Sequence, residues 1–269
     1  MRRSVPLLAI VLTVSACMLT VSACVPGPVT PPQAPAPAVA DVWRDFPVAS
    51  ALERPLIVLD ALPLTDAQSK GRIPAETALP AGQPPSTHLT LQGTSRHVTL
   101  ISAQEALTAI RAQRAITDAP EAHIAATTLI VAPFITDRGT LPLPAWEFRL
   151  TEGGTLKWPA MSTGHFWRLG STAPSTMVVD LAVDGRNLTA TFMESWGTPC
   201  PGVSAPQVTP VAVEFPSFVS IGLKVSTTDL GDCAQSLAAR LREASLTLKE
   251  PLGNRVVVDF SGQVVPTTT

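Results

Sequence analysis

Short apolar runs separated by turn residues constrain the fold of this chain more than any other feature of its sequence. The runs are rich in Val, Ile, Leu, Phe and Thr, which favour strands, and turn-forming residues bound them. They occupy residues 55–60, 97–101, 127–135, 145–151, 177–183, 188–195, 218–226, 245–249 and 255–260. Three segments have the composition of hairpin turns, at residues 137–139, 184–187 and 261–262. The pattern predicts a mainly antiparallel β-sheet.

Two segments carry the periodicity and the end signals of helices. The first begins at Ser102, where Ser102 and Glu105 form a capping-box pattern ahead of an apolar stripe. The second covers residues 229–244, with apolar side chains three or four positions apart. These side chains are Leu230, Cys233, Leu237 and Leu241. Two or so helices packed on an antiparallel sheet give an α+β fold.

The body of the chain is expected to span residues 41–265, followed by a disordered tail at 266–269. A strand, a turn, a strand and a Trp recur around Trp146 and again around Trp196. This recurrence suggests two similar lobes that meet near residue 172.

The first 23 residues have the organisation of a secretory signal peptide. A basic start at Arg2 and Arg3 precedes an uncharged apolar stretch that ends in small residues. Within it, the tetrapeptide Val-Ser-Ala-Cys occurs twice, ending at Cys17 and at Cys24. Each copy resembles the lipobox of bacterial lipoproteins. That resemblance implies a Cys that receives a diacylglyceryl group and, after cleavage, becomes the N-terminus.

The choice between the two cysteines depends on whether the mature protein keeps an even or an odd number of free thiols. If Cys24 is modified, Cys17 leaves with the signal peptide, and Cys200 and Cys233 remain to form a disulfide. If Cys17 is modified, Cys24 becomes an odd thiol in an oxidising compartment. Cys24 is therefore the favoured lipidation site and Cys17 the alternative. A cleavage after Ala40, which would give a freely secreted protein, lies far beyond the apolar stretch.

The lipid anchor would place the protein on the outer face of the cell membrane. Two acyl chains, such as palmitate, hold a protein stably where one chain does so only marginally. Residues 24–40 would then be a Pro-rich linker, with six Pro and no charge after the Cys, extended to roughly 50 Å as polyproline II.

The charge balance argues against a nucleic-acid partner. The chain has 19 Lys+Arg and 21 Asp+Glu, a net charge of −2, and loss of Arg2 and Arg3 with the signal peptide changes it to −4. Nucleic-acid-binding domains carry clustered positive charge, which is not seen here. Attachment to a membrane would depend on the lipid, because an acidic surface is repelled by anionic lipids.

Most patterns that carry catalysis do not occur in the sequence. There is no nucleophile elbow, Walker loop or paired-histidine zinc motif, and no cofactor or metal site is predicted. The four His show no ligand-like spacing, although His88 and His97 flank a predicted turn and could converge; the others are His123 and His165. Asp180 and Asp184 lie on one strand at even spacing, where a solvated face is the expected interpretation and a carboxylate pair the alternative.

The segment 136–168 is richest in groups that bind ligands. On one strand Trp146 alternates with Glu147, so the Trp faces a core and the Glu faces outward. Trp158 and Trp167 could line a groove for a sugar or a peptide, or they could fill the core. The candidate ligand-binding residues are Arg138, Trp146, Glu147, Trp158, His165 and Trp167.

Two stretches resemble recurring segments of uncharacterised secreted proteins and lipoproteins of actinobacteria. They are residues 136–148 and 251–259, about a tenth of the chain. The resemblance implies a location in the envelope and carries no activity with it.

These observations favour a non-enzymatic lipoprotein that binds a small ligand or an envelope protein. The alternative is an envelope hydrolase acting on wall material, with Asp180, Asp184, Glu147 or the His residues as its catalytic candidates. A third class, a structural spacer, would be favoured if Trp158 and Trp167 are buried and no concave site exists.

Overall fold

The computed structural model describes residues 35–48, 54–59, 78–91, 94–113, 121–194, 200–226, 233 and 239–267. Its helices and strands, in chain order, are α1 (Pro37–Trp43), β1 (Thr87–Leu91), β2 (Thr94–Val98), α2 (Ala103–Gln113), β3 (Ile124–Thr136), β4 (Gly139–Leu150), β5 (Thr155–Pro159), β6 (Val178–Asp184), β7 (Asn187–Glu194), β8 (Val208–Glu214), β9 (Phe218–Val225), β10 (Arg240–Thr247) and β11 (Val256–Asp259). Of the pairs between these strands, β9–β11 is parallel and the others are antiparallel. The predicted α+β fold, mainly antiparallel sheet, is confirmed.

A first core forms where α2 and the β1–β2 hairpin pack with the sheet β3-β4-β5. Ser102 precedes α2, and the predicted capping box is present. The Ser102 N–H donates to Glu105 Oε2 over 2.7 Å, and the Glu105 N–H donates to Ser102 Oγ over 3.2 Å. Leu107 and Ile110 then lie on the buried side of the helix, in contact with the same core as Phe148 of β4.

A second core lies between two further sheets, β10-β7-β6 and β11-β9-β8. The predicted turns at 137–139 and 184–187 join β3 to β4 and β6 to β7, and Gly139 and Gly185 adopt positive φ angles there. The turn at 261–262 follows β11, where the Gly262 N–H donates to the carbonyl oxygen of Asp259 over 2.9 Å. All three predicted turns are confirmed.

A third apolar cluster joins the two cores and includes α1. Trp43 of this helix is fully buried beside Ile57, Phe218 and Val264. Its indole Nε1 donates to the carbonyl oxygen of Gly262 over 3.1 Å. The predicted extended linker at 24–40 is therefore wrong for residues 37–40, because the Trp43 anchor draws them into a helix packed on the body. Residues 24–34 lie outside the described part of the chain.

The predicted helix at 229–244 is also wrong where the structure describes it. Residues 240–247 form β10, which pairs with β7 over eight residues, and Cys233 lies in a bend. Leu241, expected on the apolar stripe of a helix, is 67% exposed on this strand. The long ladder with β7 outweighs a local spacing of leucines that a helix would also satisfy.

Two similar lobes do not occur in the described structure, although residue 172 does fall between the first and second cores. The first sheet follows chain order, β3-β4-β5, and carries α2. The second unit has two sheets, and β10 joins β7 from far along the chain. Trp196, on which the repeat depended, lies outside the described residues. The tail also begins later than predicted, since the Thr267 N–H donates to the carbonyl oxygen of Asp137 over 3.1 Å.

Candidate functional site

The predicted tryptophan groove is not formed by Trp146 and Trp158. The two residues lie directly opposite each other on β4 and β5, and both are buried in the first core. The Trp146 Nε1 donates to the carbonyl oxygen of Ile101 over 2.9 Å, so its polar atom is used inside the protein. The segment before α2 covers this face of the sheet, which the strand pattern alone does not reveal.

Trp167 lies at a different place, in the cluster that joins the two cores. Its ring is half-buried and meets the ring of Phe46 edge to face at 5.5 Å. The guanidinium of Arg168 lies 5.5 Å from the same ring, within the range of a cation–π contact. The indole Nε1 is buried, and no described residue accepts a hydrogen bond from it. Trp167 and Trp158 therefore do not share a surface.

Glu147 faces outward on β4, as the alternation predicted. It lies opposite Lys157 of β5, with Glu147 Oε2 and Lys157 Nζ separated by 3.8 Å. Both side chains are partly exposed, so this is a surface ion pair of small energetic value.

A buried charged cluster surrounds Asp137 at the β3–β4 turn. Arg54 Nη1 lies 2.6 Å from Asp137 Oδ2, an ion pair whose geometry is not that of a directed hydrogen bond. The Ile57 N–H donates to Asp137 Oδ1 over 3.0 Å. Arg138 Nη2 donates to the carbonyl oxygens of Arg54 and Pro55, over 3.0 and 3.2 Å. The turn is thus fastened to the segment 54–59.

The remaining contacts of this cluster extend to the C-terminal part of the chain. Arg54 Nε donates to the carbonyl oxygen of Asn254 over 2.7 Å, and the Arg54 guanidinium lies 5.1 Å from the ring centre of Phe46. The carbonyl oxygen of Asp137 accepts from both the N–H and the Oγ1 of Thr267. The pair of Arg54 and Asp137 therefore connects the segment 54–59, the β3–β4 turn and the C-terminal part of the chain, through side-chain and backbone contacts.

Positive charge exceeds negative charge around this carboxylate. Burial lowers the pKa of Arg138 to about 10; the charge of Asp137 opposes the shift, and the charges of Arg54 and Arg96 add to it. Burial also lowers the pKa of His165, and the positive charge of Arg96 adds to that effect. The structure thus brings Arg138 and His165 into the electrostatic range of Arg96, and His165 is mainly neutral at pH 7.

The charged cluster around Asp137 holds chain segments together. Asp137 and Arg138 are almost fully buried at their side chains and are committed to the protein contacts described above. An ion pair in this setting fixes the relative position of chain segments, because separating the charges leaves one of them buried alone. Arg138, a predicted ligand-binding residue, is accordingly a structural contact here.

Asp180 and Asp184 lie exposed along β6, on the predicted solvated face of that strand. One buried carboxylate near β6, Asp259, was not predicted from the sequence. Asp259 Oδ2 accepts from Ser175 Oγ over 2.7 Å, and its Oδ1 accepts from the N–H groups of Ser261 and Gln263. An Asp two positions before Ser-Gly is the local signal for this turn. Arg54, also missed, has no such signal.

His88 and His97 do converge. They lie directly opposite each other on β1 and β2, both exposed, with ring centres 5.4 Å apart. His123 is exposed and separate from them. Among the described residues no group of three or more His, Cys, Asp or Glu side chains is arranged to hold a metal ion.

The predicted disulfide between Cys200 and Cys233 is present. The two sulfurs are bonded and the Cα atoms lie 5.7 Å apart. Cys200 is buried and follows the undescribed stretch 195–199. The lipidation candidates Cys17 and Cys24 lie outside the described residues.

Comparison with known proteins finds no matching family model, no similar curated protein and no similar solved structure. Within the described ranges, no helix has the length and apolar character needed to cross a membrane.

Proposed function

We propose that this protein is a lipoprotein of the cell envelope, anchored by a diacylglyceryl group on Cys24, whose folded part binds a ligand or a protein partner without catalysis. The observation that carries the proposal is the pairing of Cys200 with Cys233. This disulfide suits an oxidising compartment and leaves Cys24 as the single unpaired thiol once Cys17 is removed with the signal peptide. That thiol ends the second of the two tetrapeptides that resemble a lipobox.

The position of α1 limits how far the folded part can lie from the membrane. Helix α1 begins at Pro37, thirteen positions after Cys24. An extended chain spans at most about 3.3–3.6 Å per residue, so the tether reaches roughly 45 Å at most. The folded part would stay close to the membrane, within reach of other envelope molecules.

The carboxylates considered for hydrolysis lie on partly or fully exposed strand positions. Asp180 and Asp184 are exposed along a strand, and Glu147 pairs with Lys157. Acid–base catalysis needs two groups positioned at one reacting site, whereas Glu147 lies on β4 and the two Asp residues lie on β6, a strand of another sheet.

Metabolic labelling with an alkyne fatty acid, followed by membrane fractionation, tests the anchor. We expect the wild-type protein to take up the label and to sediment with membranes, and Cys24→Ala to lose the label. Cys17→Ala is the matched control, because it makes the same change seven residues earlier in an identical tetrapeptide. Label that survives Cys24→Ala and disappears in Cys17→Ala would contradict the assignment.

Incubation of the purified protein with isolated wall material tests the absence of hydrolysis. We expect no release of soluble fragments above that of heat-denatured protein. Release that falls in the double variant Asp180→Asn, Asp184→Asn would establish the hydrolase instead.

A further inference from the structure

The β1–β2 hairpin presents two imidazoles on its exposed face. Leu89 and Val98 point into the first core and are buried. Their neighbours His88 and His97 therefore point to the other face, where both are exposed. The register pairs these two histidines directly, so their side chains start from adjacent points on the two strands.

The separation of the rings matches that of two ligands on one metal ion. Metal–nitrogen bonds are about 2.0–2.1 Å, which places each ring centre roughly 3.2 Å from the ion. Two such rings have centres roughly 4.5 Å apart at the 90° angle of a square-planar ion and roughly 5.2 Å apart at a tetrahedral angle. The observed separation of 5.4 Å lies close to the upper of these values. Since both side chains are exposed, rotation about their outer bonds can bring one nitrogen of each ring to the ion without moving the backbone.

We propose that His88 and His97 form a binding site for a divalent transition-metal ion, with Cu²⁺ as the preferred ion and Ni²⁺ and Zn²⁺ as weaker ones. Neutral imidazole suits these ions, and the general affinity order places Cu²⁺ above both. The nearest residues on the same face, Thr90 and Ser95, carry no charge. Ca²⁺ and Mg²⁺, which require several oxygen ligands, are therefore excluded from the site.

The site is open, and its remaining coordination positions are filled by water. Two protein ligands leave an ion accessible to exchange, unlike a closed structural zinc site with four. The hairpin forms a two-stranded sheet of its own, and such a pair of strands is only marginally stable by itself. A metal ion that bridges the strands therefore stabilises their pairing, because it binds only when the histidines are opposite each other.

Titration of the full chain with Cu²⁺ tests the site, with the protein in detergent and carrying a purification tag without histidine. We expect His88→Gln and His97→Gln each to weaken binding at least about tenfold, because even the outer-shell partners of metal ligands cost 10–100-fold when mutated. His123→Gln is the matched control, since it makes the same change at an exposed histidine outside the hairpin. It should leave the affinity unchanged. Every variant also carries Cys17→Ser and Cys24→Ser, because free thiols bind copper more tightly than imidazole does and would mask the site.

Moving the histidine pair to another position on the hairpin gives a second test. Nonspecific Cu²⁺ binding would not be restored by such a change. Thr90 and Ser95 also lie directly opposite each other, two residues further along the hairpin on the same face. In the chain carrying His88→Gln and His97→Gln, the additional changes Thr90→His and Ser95→His should restore Cu²⁺ binding. Hydrogen exchange of the β1 and β2 amides should slow on Cu²⁺ addition in the wild type and in the relocated pair. Wild-type affinity in the chain lacking both histidines, or no protection of the hairpin by Cu²⁺, would overturn the proposal.

Discussion

Asp137 offers the sharpest test of how this fold is held together. Asp137→Asn keeps the size of the side chain and keeps an oxygen that can accept from the Ile57 N–H. It replaces the oxygen that faces Arg54 with an amide NH₂ group, which cannot pair with a guanidinium. The side chain of Arg54 is only 8% exposed, so its charge stays buried without its partner.

The expected loss of stability follows from this burial. Removing one partner of a buried ion pair costs about 3–5 kcal/mol, because the other charge is left uncompensated. Arg54 keeps its hydrogen bond to Asn254 and its contact with the Phe46 ring, so the lower end, about 3 kcal/mol, is the expected value. Glu147→Gln makes the same chemical change in the partly exposed pair with Lys157. There the expected cost is about 1 kcal/mol or less.

Urea denaturation of the two variants measures the difference, provided the dependence on urea concentration has the same slope in each. The double variant Arg54→Gln, Asp137→Asn should lose less stability than the sum of its single variants, because the buried charge is gone. A cost for Asp137→Asn within about 0.5 kcal/mol of that for Glu147→Gln would refute the reasoning.

Two further predictions follow from close contacts in the structure. Gly222→Ala should destabilise the protein by about 1–3 kcal/mol in the same assay, because a Cβ there would lie 2.5 Å from the buried ring of Phe260; an unchanged urea midpoint would show that the ring can move away. For Glu105, hydrogen bonds from the backbone and side chain of Ser102 lower the pKa below 4.5. The ionised carboxylate therefore stabilises the folded state above pH 4.5. This contribution is lost as the pH falls through the folded-state pKa. The stability difference between wild type and Glu105→Gln should therefore shrink on acidification, and a difference independent of pH between 3 and 6 would contradict this.

Elements with local signals could be predicted from the sequence. The capping box at Ser102 and Glu105 needs only four neighbouring residues, and the structure shows both of its hydrogen bonds. The turns at 137–139 and 184–187 have Gly at positions that need a positive φ. The alternation around Trp146 correctly separated buried from outward side chains on β4.

Elements that depend on distant partners could not be predicted. The helix α1 lies in a Pro-rich stretch whose composition favours an extended chain. It is held by Trp43, which bonds to Gly262, and by Ser217, whose Oγ donates to the carbonyl oxygen of Trp43. The strand β10 has leucine spacing that also suits a helix, and only its ladder with β7 decides between the two.

The candidate site residues also divide into those with local sequence signals and those that depend on distant partners. The sequence left open that His88 and His97 converge, because a short segment separates them, and their direct opposition became evident only from the observed register. The ion pair between Arg54 and Asp137 joins residues about 80 positions apart, and no pattern in a single sequence predicts that they pair. The burial of Trp158 depends on packing from outside its own strand, which strand alternation does not reveal.

Intact mass spectrometry of the mature protein, extracted from membranes with detergent, tests the lipid anchor most directly. The predicted species begins at Cys24, carries a diacylglyceryl group on its sulfur, and keeps Cys200 and Cys233 joined. A lipid-free chain that begins near Asp41, or one that retains Met1, would contradict the proposed anchor and the proposed location.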